Sequence, residues 1–158
     1  MEKKRRLIIF ISIIVLIIIG VIIFLLNNNK SGNIIECSYT IDNQDYEISY
    51  IDTFTYNDET LINVKHNITY KFNNKDVNYN DVYSHYRDYY INYTDLDFSG
   101  DMSENIIKFN FIFDLKNTYD ERYDEFLGMS KRFVTNAYKD DLINSYSNNY
   151  PSSTCKIK

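Results

Sequence analysis

The chain has 158 residues, 44% hydrophobic and 25% charged, a length that accommodates one domain and a short appendage. Five of its 17 lysines and arginines and one of its 22 acidic residues precede Ser31, so the remainder carries 12 basic and 21 acidic residues, a net charge of −9. A surface that binds nucleic-acid phosphates needs the opposite sign, which excludes nucleic acid from the expected partners.

An apolar run occupies residues 7–26, directly after the basic segment "MEKKRR". Its 20 residues carry no charge, and as a helix they would span roughly 30 Å, the hydrocarbon thickness of a bilayer. A cleaved signal peptide is the alternative, but its apolar core is at most about 15 residues long and ends in small residues. A lipoprotein signal is rejected because Cys37 lies 11 residues beyond the run. We therefore predict an uncleaved transmembrane helix, a signal anchor, at 7–26.

The flanking charges predict how this helix is oriented. Four basic residues precede it, whereas only Lys30 follows it closely. The positive-inside rule then makes residues 1–6 a cytoplasmic stub. Residues 27–33, "NNNKSGN", are polar and predict a short tether. Residues 34–158 form the predicted extracellular domain, held at the lipid bilayer by residues 7–26.

Three runs of alternating apolar and polar residues open this domain. Their apolar positions are Ile35, Cys37, Tyr39 and Ile41, then Tyr46, Ile48, Tyr50, Phe54 and Tyr56, then Ile62, Val64, His66, Ile68, Tyr70 and Phe72. The polar segments "DNQD" and "NDET" join the runs. A period of two with short turns predicts an antiparallel meander with one buried face.

The period then changes to that of a helix. The stripe Tyr79, Val82, Tyr83, Tyr86, Tyr90 and Tyr93 predicts a helix over about 77–93. The sequence then predicts a short strand near Leu96, a turn at "SGDMSE" and a strand of regular alternation from Ile107. A helical turn at "YDERYDEFLG" and a helix capped by Thr135 come next, and the closing "TCKIK" suits a last extended segment. The order βββ-α-ββ-α predicts an α+β fold, with an antiparallel sheet of about five strands and helices packed on one face.

The two cysteines, Cys37 and Cys155, stand at opposite ends of this domain. An extracellular compartment and exactly two thiols favour a disulfide between them. The alternatives are two buried free thiols or a redox pair, although a redox pair typically has C-x-x-C spacing, which is absent.

No residue of the sequence is assigned a catalytic, cofactor-binding or metal-binding role. The segment from Asp95 to Ile106 begins like a calcium loop, but the loop needs a glutamate where Ile106 stands, which favours a hairpin. His66 and His85 lie on different predicted elements and are interpreted as structural. Acidic clusters at Asp140 and Glu121 are interpreted as solvated helix faces.

The pattern of residues 35–158 resembles the YehR-like lipoprotein domain of bacterial envelopes and its membrane-anchored relatives. The resemblance rests on the meander, on the following helix, on "IKFNFIFDL" and on the closing "DDLINSYSNNYPSSTCKIK". Those lipoproteins carry a lipidated cysteine, where this chain has an apolar N-terminal run instead. The resemblance implies an α+β extracellular domain and no assigned activity.

Together these features predict a non-enzymatic domain that binds or scaffolds an extracellular or envelope ligand beside the membrane. The rival interpretation is an envelope enzyme whose site is assembled from scattered residues around His85 and Arg87. No cofactor is expected under either interpretation.

Overall fold

A computed structural model describes residues 33–73 and 77–158. These residues form six strands and four helices. The strands are β1 (Ile34–Asp42), β2 (Tyr46–Asn57), β3 (Thr60–Phe72), β4 (Leu96–Ser103), β5 (Ile106–Phe113) and β6 (Thr154–Ile157). The helices are α1 (Tyr79–Tyr90), α2 (Asp120–Leu127), α3 (Lys131–Asn136) and α4 (Lys139–Asn149).

The strands make one antiparallel sheet in the order β4-β5-β3-β2-β1-β6. The predicted α+β fold with an antiparallel sheet is therefore confirmed. The sheet has six strands, whereas about five were predicted, because the closing segment pairs with β1 as β6.

Alternation aligns the apolar positions of neighbouring strands in rows that cross the sheet. One row, the central row, runs through Cys155, Cys37, Asp52, His66, Phe111 and Phe98. The next row contains Tyr39, Tyr50, Ile68 and Phe109. Both rows lie on the same face of the sheet because the side chains of a strand repeat every two residues.

The helices pack against this face. The ring centroids of Tyr86 in α1 and Phe109 are 6.2 Å apart, and those of Phe126 in α2 and Phe111 are 4.6 Å apart. Tyr146 of α4 meets the Phe54 ring edge-on at 6.3 Å. The core is therefore an aromatic layer between the sheet and the helices.

The prediction that Thr135 caps a helix is wrong. Ser130 is the residue that caps α3, where its Oγ accepts a hydrogen bond from the Phe133 N–H at 3.3 Å. Thr135 lies inside α3 and donates its hydroxyl hydrogen to the Lys131 carbonyl. The extended backbone of Ala137 and Tyr138 then ends α3 before α4 begins.

The disulfide predicted between Cys37 and Cys155 is present. The two residues are direct partners in the β1–β6 ladder, with their Cα atoms 4.0 Å apart. The bond therefore attaches the last strand to the first.

The predicted transmembrane helix at 7–26 and the stub before it lie outside the described residues. Within residues 33–73 and 77–158, no helix is both long enough and apolar enough to cross a bilayer.

Candidate ligand-binding site

The helices leave part of the apolar face of the sheet open. A concavity of about 540 Å³ lies between α1 and strands β2 and β3. We call this concavity the groove, and its lining consists of Tyr46, Ile48, Tyr70, Phe72, Asp81, Val82, His85 and Tyr86.

Local sequence periodicity explains how the groove is built. Ile48 and Tyr70 are direct partners across β2 and β3, and they form part of the floor. Val82, His85 and Tyr86 are spaced three and four residues apart, so they lie on one face of α1 and form the wall.

The groove combines an apolar floor with a polar rim. Asp81 and His85 supply the rim, and both are exposed. Beyond the floor, Ile41 of β1 is 48% exposed and is the direct partner of Ile48. An open apolar surface with a few polar groups at its border is typical of a ligand site.

A second, smaller cavity of about 190 Å³ lies over the next rows of the sheet. We call it the tyrosine cavity. Its lining consists of Tyr39, Tyr50, His66, Ile68, Tyr70, Tyr90, Glu125, Phe126 and Tyr150. The floor comes from the sheet, and the walls come from the ends of α1, α2 and α4. Tyr70 lines both the groove and the tyrosine cavity.

A buried polar network supports the floor of the tyrosine cavity. Asp52 is fully buried, and its Oδ1 lies 2.6 Å from Nδ1 of His66, which is 1% exposed. The Tyr146 hydroxyl donates to the other carboxylate oxygen of Asp52. Both oxygens of a buried carboxylate are thus satisfied, which offsets much of the cost of removing the charge from water.

Three aromatic rings hold the His66 ring in place. The centroids of Tyr50, Phe111 and Phe126 lie 5.9, 5.9 and 5.2 Å from the imidazole centroid. The ring is therefore fixed by packing against these three rings and by Asp52 at Nδ1.

The tyrosines around the cavity remain protonated far into the alkaline range. Burial, followed by the neighbouring Tyr86, raises the pKa of Tyr90 to about 12. Burial is also the main cause that raises the pKa values of Tyr39, Tyr50 and Tyr70. Neighbouring phenols raise the pKa further in each case. These side chains present neutral hydroxyls that can both donate and accept hydrogen bonds.

The structure separates the two histidines. His66 lines the tyrosine cavity, whereas His85 lines the groove. Arg87, which was considered together with His85, binds Asp88 through Nη2 at 2.8 Å. Arg87 is not among the residues that line either space.

The calcium-like segment forms the β4–β5 hairpin. Its first acidic residue, Asp95, accepts a hydrogen bond from the Tyr119 N–H at 2.9 Å, and Arg122 lies 3.5 Å away. Among the described residues, no group of three or more His, Cys, Asp or Glu side chains could hold a metal ion.

Sequence reasoning missed Asp52. This residue stands between Tyr50 and Phe54 in the period-two row of β2, and that position is the signal that could have revealed it. An acidic residue in a buried row predicts a partner on a neighbouring strand, and His66 is its direct partner.

Comparisons with protein-family models, with curated proteins and with solved structures found no match to this chain. The resemblance to the YehR-like domain therefore stays a prediction.

Proposed function

We propose that this chain is a membrane-anchored extracellular protein whose domain is a non-enzymatic binding module of the cell envelope, with the groove as its ligand site. The apolar run at 7–26 and the basic residues before it support the anchor and its orientation. If protease added to intact cells leaves residues 34–158 uncut, this orientation is wrong.

The observation that carries the binding function is the uncovered part of the sheet. Elsewhere on this face, residues such as Phe54, Phe109 and Phe111 are fully buried beneath helices. Tyr46 and Ile48 belong to the same face but are only half-buried. When a ligand covers these exposed apolar side chains, it removes apolar surface from water. This burial contributes favourably to the free energy of binding.

The chain offers a direct reporter for this site because it has only two histidines. The proton and carbon resonances at Cε1 of His85 report on the groove, and those of His66 report on the tyrosine cavity. The experiment uses the full-length protein in lipid nanodiscs, without a histidine tag, and NMR titration with chitotetraose, a neutral tetrapeptide and decanoate. We expect at least one of these probes to shift the His85 resonance saturably.

The matched variants are Ile48→Lys and Ile51→Lys, three residues apart on β2. Ile48 lies on the groove floor, whereas Ile51 is 39% exposed and lies on the opposite face. Ile48→Lys should weaken binding about 10-fold, the value of one buried isoleucine contact, and Ile51→Lys should leave it unchanged. A His85 resonance that no probe shifts, or equal losses in the two variants, would contradict the proposal.

The alternative of an enzyme around His85 and Arg87 stays a prediction. Replacing both residues by alanine tests it, because an enzyme with this site would lose its activity in the double variant.

A further inference from the structure

We propose that the tyrosine cavity binds one neutral sugar ring, and that His66, held by Asp52, accepts a hydrogen bond from a sugar hydroxyl through Nε2. This inference rests on the proposed binding function and names the ligand class at the inner end of the site.

The hydrogen bond to Asp52 decides which nitrogen of neutral His66 carries the hydrogen. An ionised carboxylate only accepts hydrogen bonds, so the contact with Asp52 requires the hydrogen of neutral His66 to be on Nδ1. Nε2 then carries a lone pair and acts as an acceptor. Within residues 33–73 and 77–158, the hydrogen bond at the His66 ring joins Nδ1 to Asp52, and the ring lines the cavity.

The lining of the tyrosine cavity combines hydroxyl groups with apolar side chains. The hydroxyls of tyrosines such as Tyr50, Tyr70 and Tyr90 each donate and accept, as the hydroxyls of a sugar do. Ile68 and Phe126 add apolar surface for the C–H face of a sugar ring. A ligand that carries both hydroxyl groups and an apolar face is complementary to this combination of hydroxyls and apolar surface.

The carboxylates in and beneath the cavity already have partners. The Glu125 carboxylate faces the cavity but already accepts hydrogen bonds from the Tyr93 hydroxyl at 2.8 Å and from Arg122 Nη1 at 3.0 Å. Asp52 is likewise occupied by His66 and Tyr146. Because both carboxylates already have partners, neither requires a cationic ligand. The negative net charge of the domain disfavours binding of an anionic ligand.

The volume of the tyrosine cavity limits the size of its ligand. At about 30 Å³ per water, the cavity of 190 Å³ has room for roughly six waters. It is smaller than the roughly 300 Å³ at which sites for drug-sized ligands begin, so one ring fits and an oligomer does not. Since Tyr70 also lines the groove, further units of a glycan would extend along the groove.

The test is NMR titration of the full-length protein in nanodiscs with the methyl glycosides of glucose, galactose, mannose and N-acetylglucosamine. Tetramethylammonium serves as a cationic probe of comparable size. We expect at least one glycoside to shift the His66 Cε1 resonance saturably, with no such shift for tetramethylammonium.

Variants that remove one hydroxyl test the contacts without opening the core. Tyr50→Phe and Tyr90→Phe should each weaken glycoside binding about 3- to 10-fold, the value of one hydrogen bond. Tyr138→Phe is the matched control, because Tyr138 is 70% exposed and lies outside the cavity, and it should change nothing.

The responses of the two histidines distinguish a failure of the cavity site from a failure of the groove site. If chitotetraose shifts His85 while no glycoside shifts His66, the groove binds and the sugar site in the cavity is wrong. If tetramethylammonium shifts His66 and the glycosides do not, the site is cationic and the inference is overturned. If no probe shifts either histidine, both proposals fail.

Discussion

At the scale of single residues, the most consequential side chain is Asp52. It is a fully buried carboxylate in a row of aromatic residues, and its two oxygens are occupied by His66 and Tyr146. Such a network stabilises one arrangement of the core because an unpaired member is costly in a low-dielectric environment. The same network fixes the orientation of the one imidazole that lines the tyrosine cavity.

Replacing His66 with leucine tests this dependence. His66→Leu leaves the buried Asp52 charge with Tyr146 alone, so we expect the free energy of unfolding to fall by about 3–5 kcal/mol. Urea denaturation followed by circular dichroism measures the change. Adding Asp52→Val should restore part of the loss because it removes the unpaired charge. A double variant less stable than His66→Leu would show that the charge is not the cause.

At the scale of elements, the last strand depends on the disulfide. β6 has only four residues and pairs with β1 at one edge of the sheet. A strand this short has few ladder hydrogen bonds of its own, so the covalent bond to Cys37 holds it in register.

Cys155→Ser should therefore release β6. We expect the free energy of unfolding to fall by about 2–5 kcal/mol, the usual cost of losing a native disulfide. The amides of β1 that face β6 should exchange with deuterium faster, while those of β5 should change only as far as global stability changes. The double variant Cys37→Ala/Cys155→Ser controls for intermolecular disulfides. Unchanged exchange in β1 would mean that β6 stays paired without the bond.

Hydrophobic periodicity predicted some elements of this fold correctly and others incorrectly. The period-two runs predicted β1, β2 and β3 because one buried and one polar face leave a clear alternation. One helix capped by Thr135 was predicted from the apolar positions between Val134 and Tyr146, yet this stretch is interrupted between α3 and α4. Its apolar spacing continues across the break at Ala137 and Tyr138, so periodicity alone does not reveal the interruption.

At the scale of the whole molecule, the tyrosines dominate the response to alkaline pH. Burial raises the pKa of Tyr90 and of Tyr123 to about 12, while a tyrosine in the unfolded chain titrates near 10. Above pH 10 the unfolded state therefore loses protons that the folded state keeps. The folded state then binds more protons, so stability falls as pH rises.

We expect the domain to be stable through neutral pH and to lose stability between about pH 10 and 12. Each shifted tyrosine contributes at most about 1.4 kcal/mol per pH unit in this window. Urea midpoints measured across the range check the prediction. Tyr90→Phe should flatten the slope, whereas the exposed Tyr138→Phe should not. A midpoint that stays constant up to pH 12 would contradict the assigned direction.

The sequence by itself determined the α+β class and favoured the pairing of the two cysteines. It also determined the buried face of each early strand, apart from Ile62, which is 53% exposed where the β2–β3 register shifts. These features follow from periodicity and composition, which are local properties of the chain. The same patterns led to a structural interpretation of both His66 and His85, and they contain no indication that these residues line two neighbouring cavities.

Only the tertiary structure decided the register that places Asp52 opposite His66 and the packing that brings three helix ends around one cavity. Alternation defines a face of a strand but not its partner residue, since a shift of two positions preserves the face and changes every pair. The tyrosine cavity exists because Tyr50, Tyr90 and Tyr150 converge from distant parts of the chain. Such convergence depends on long-range packing, which no local pattern encodes.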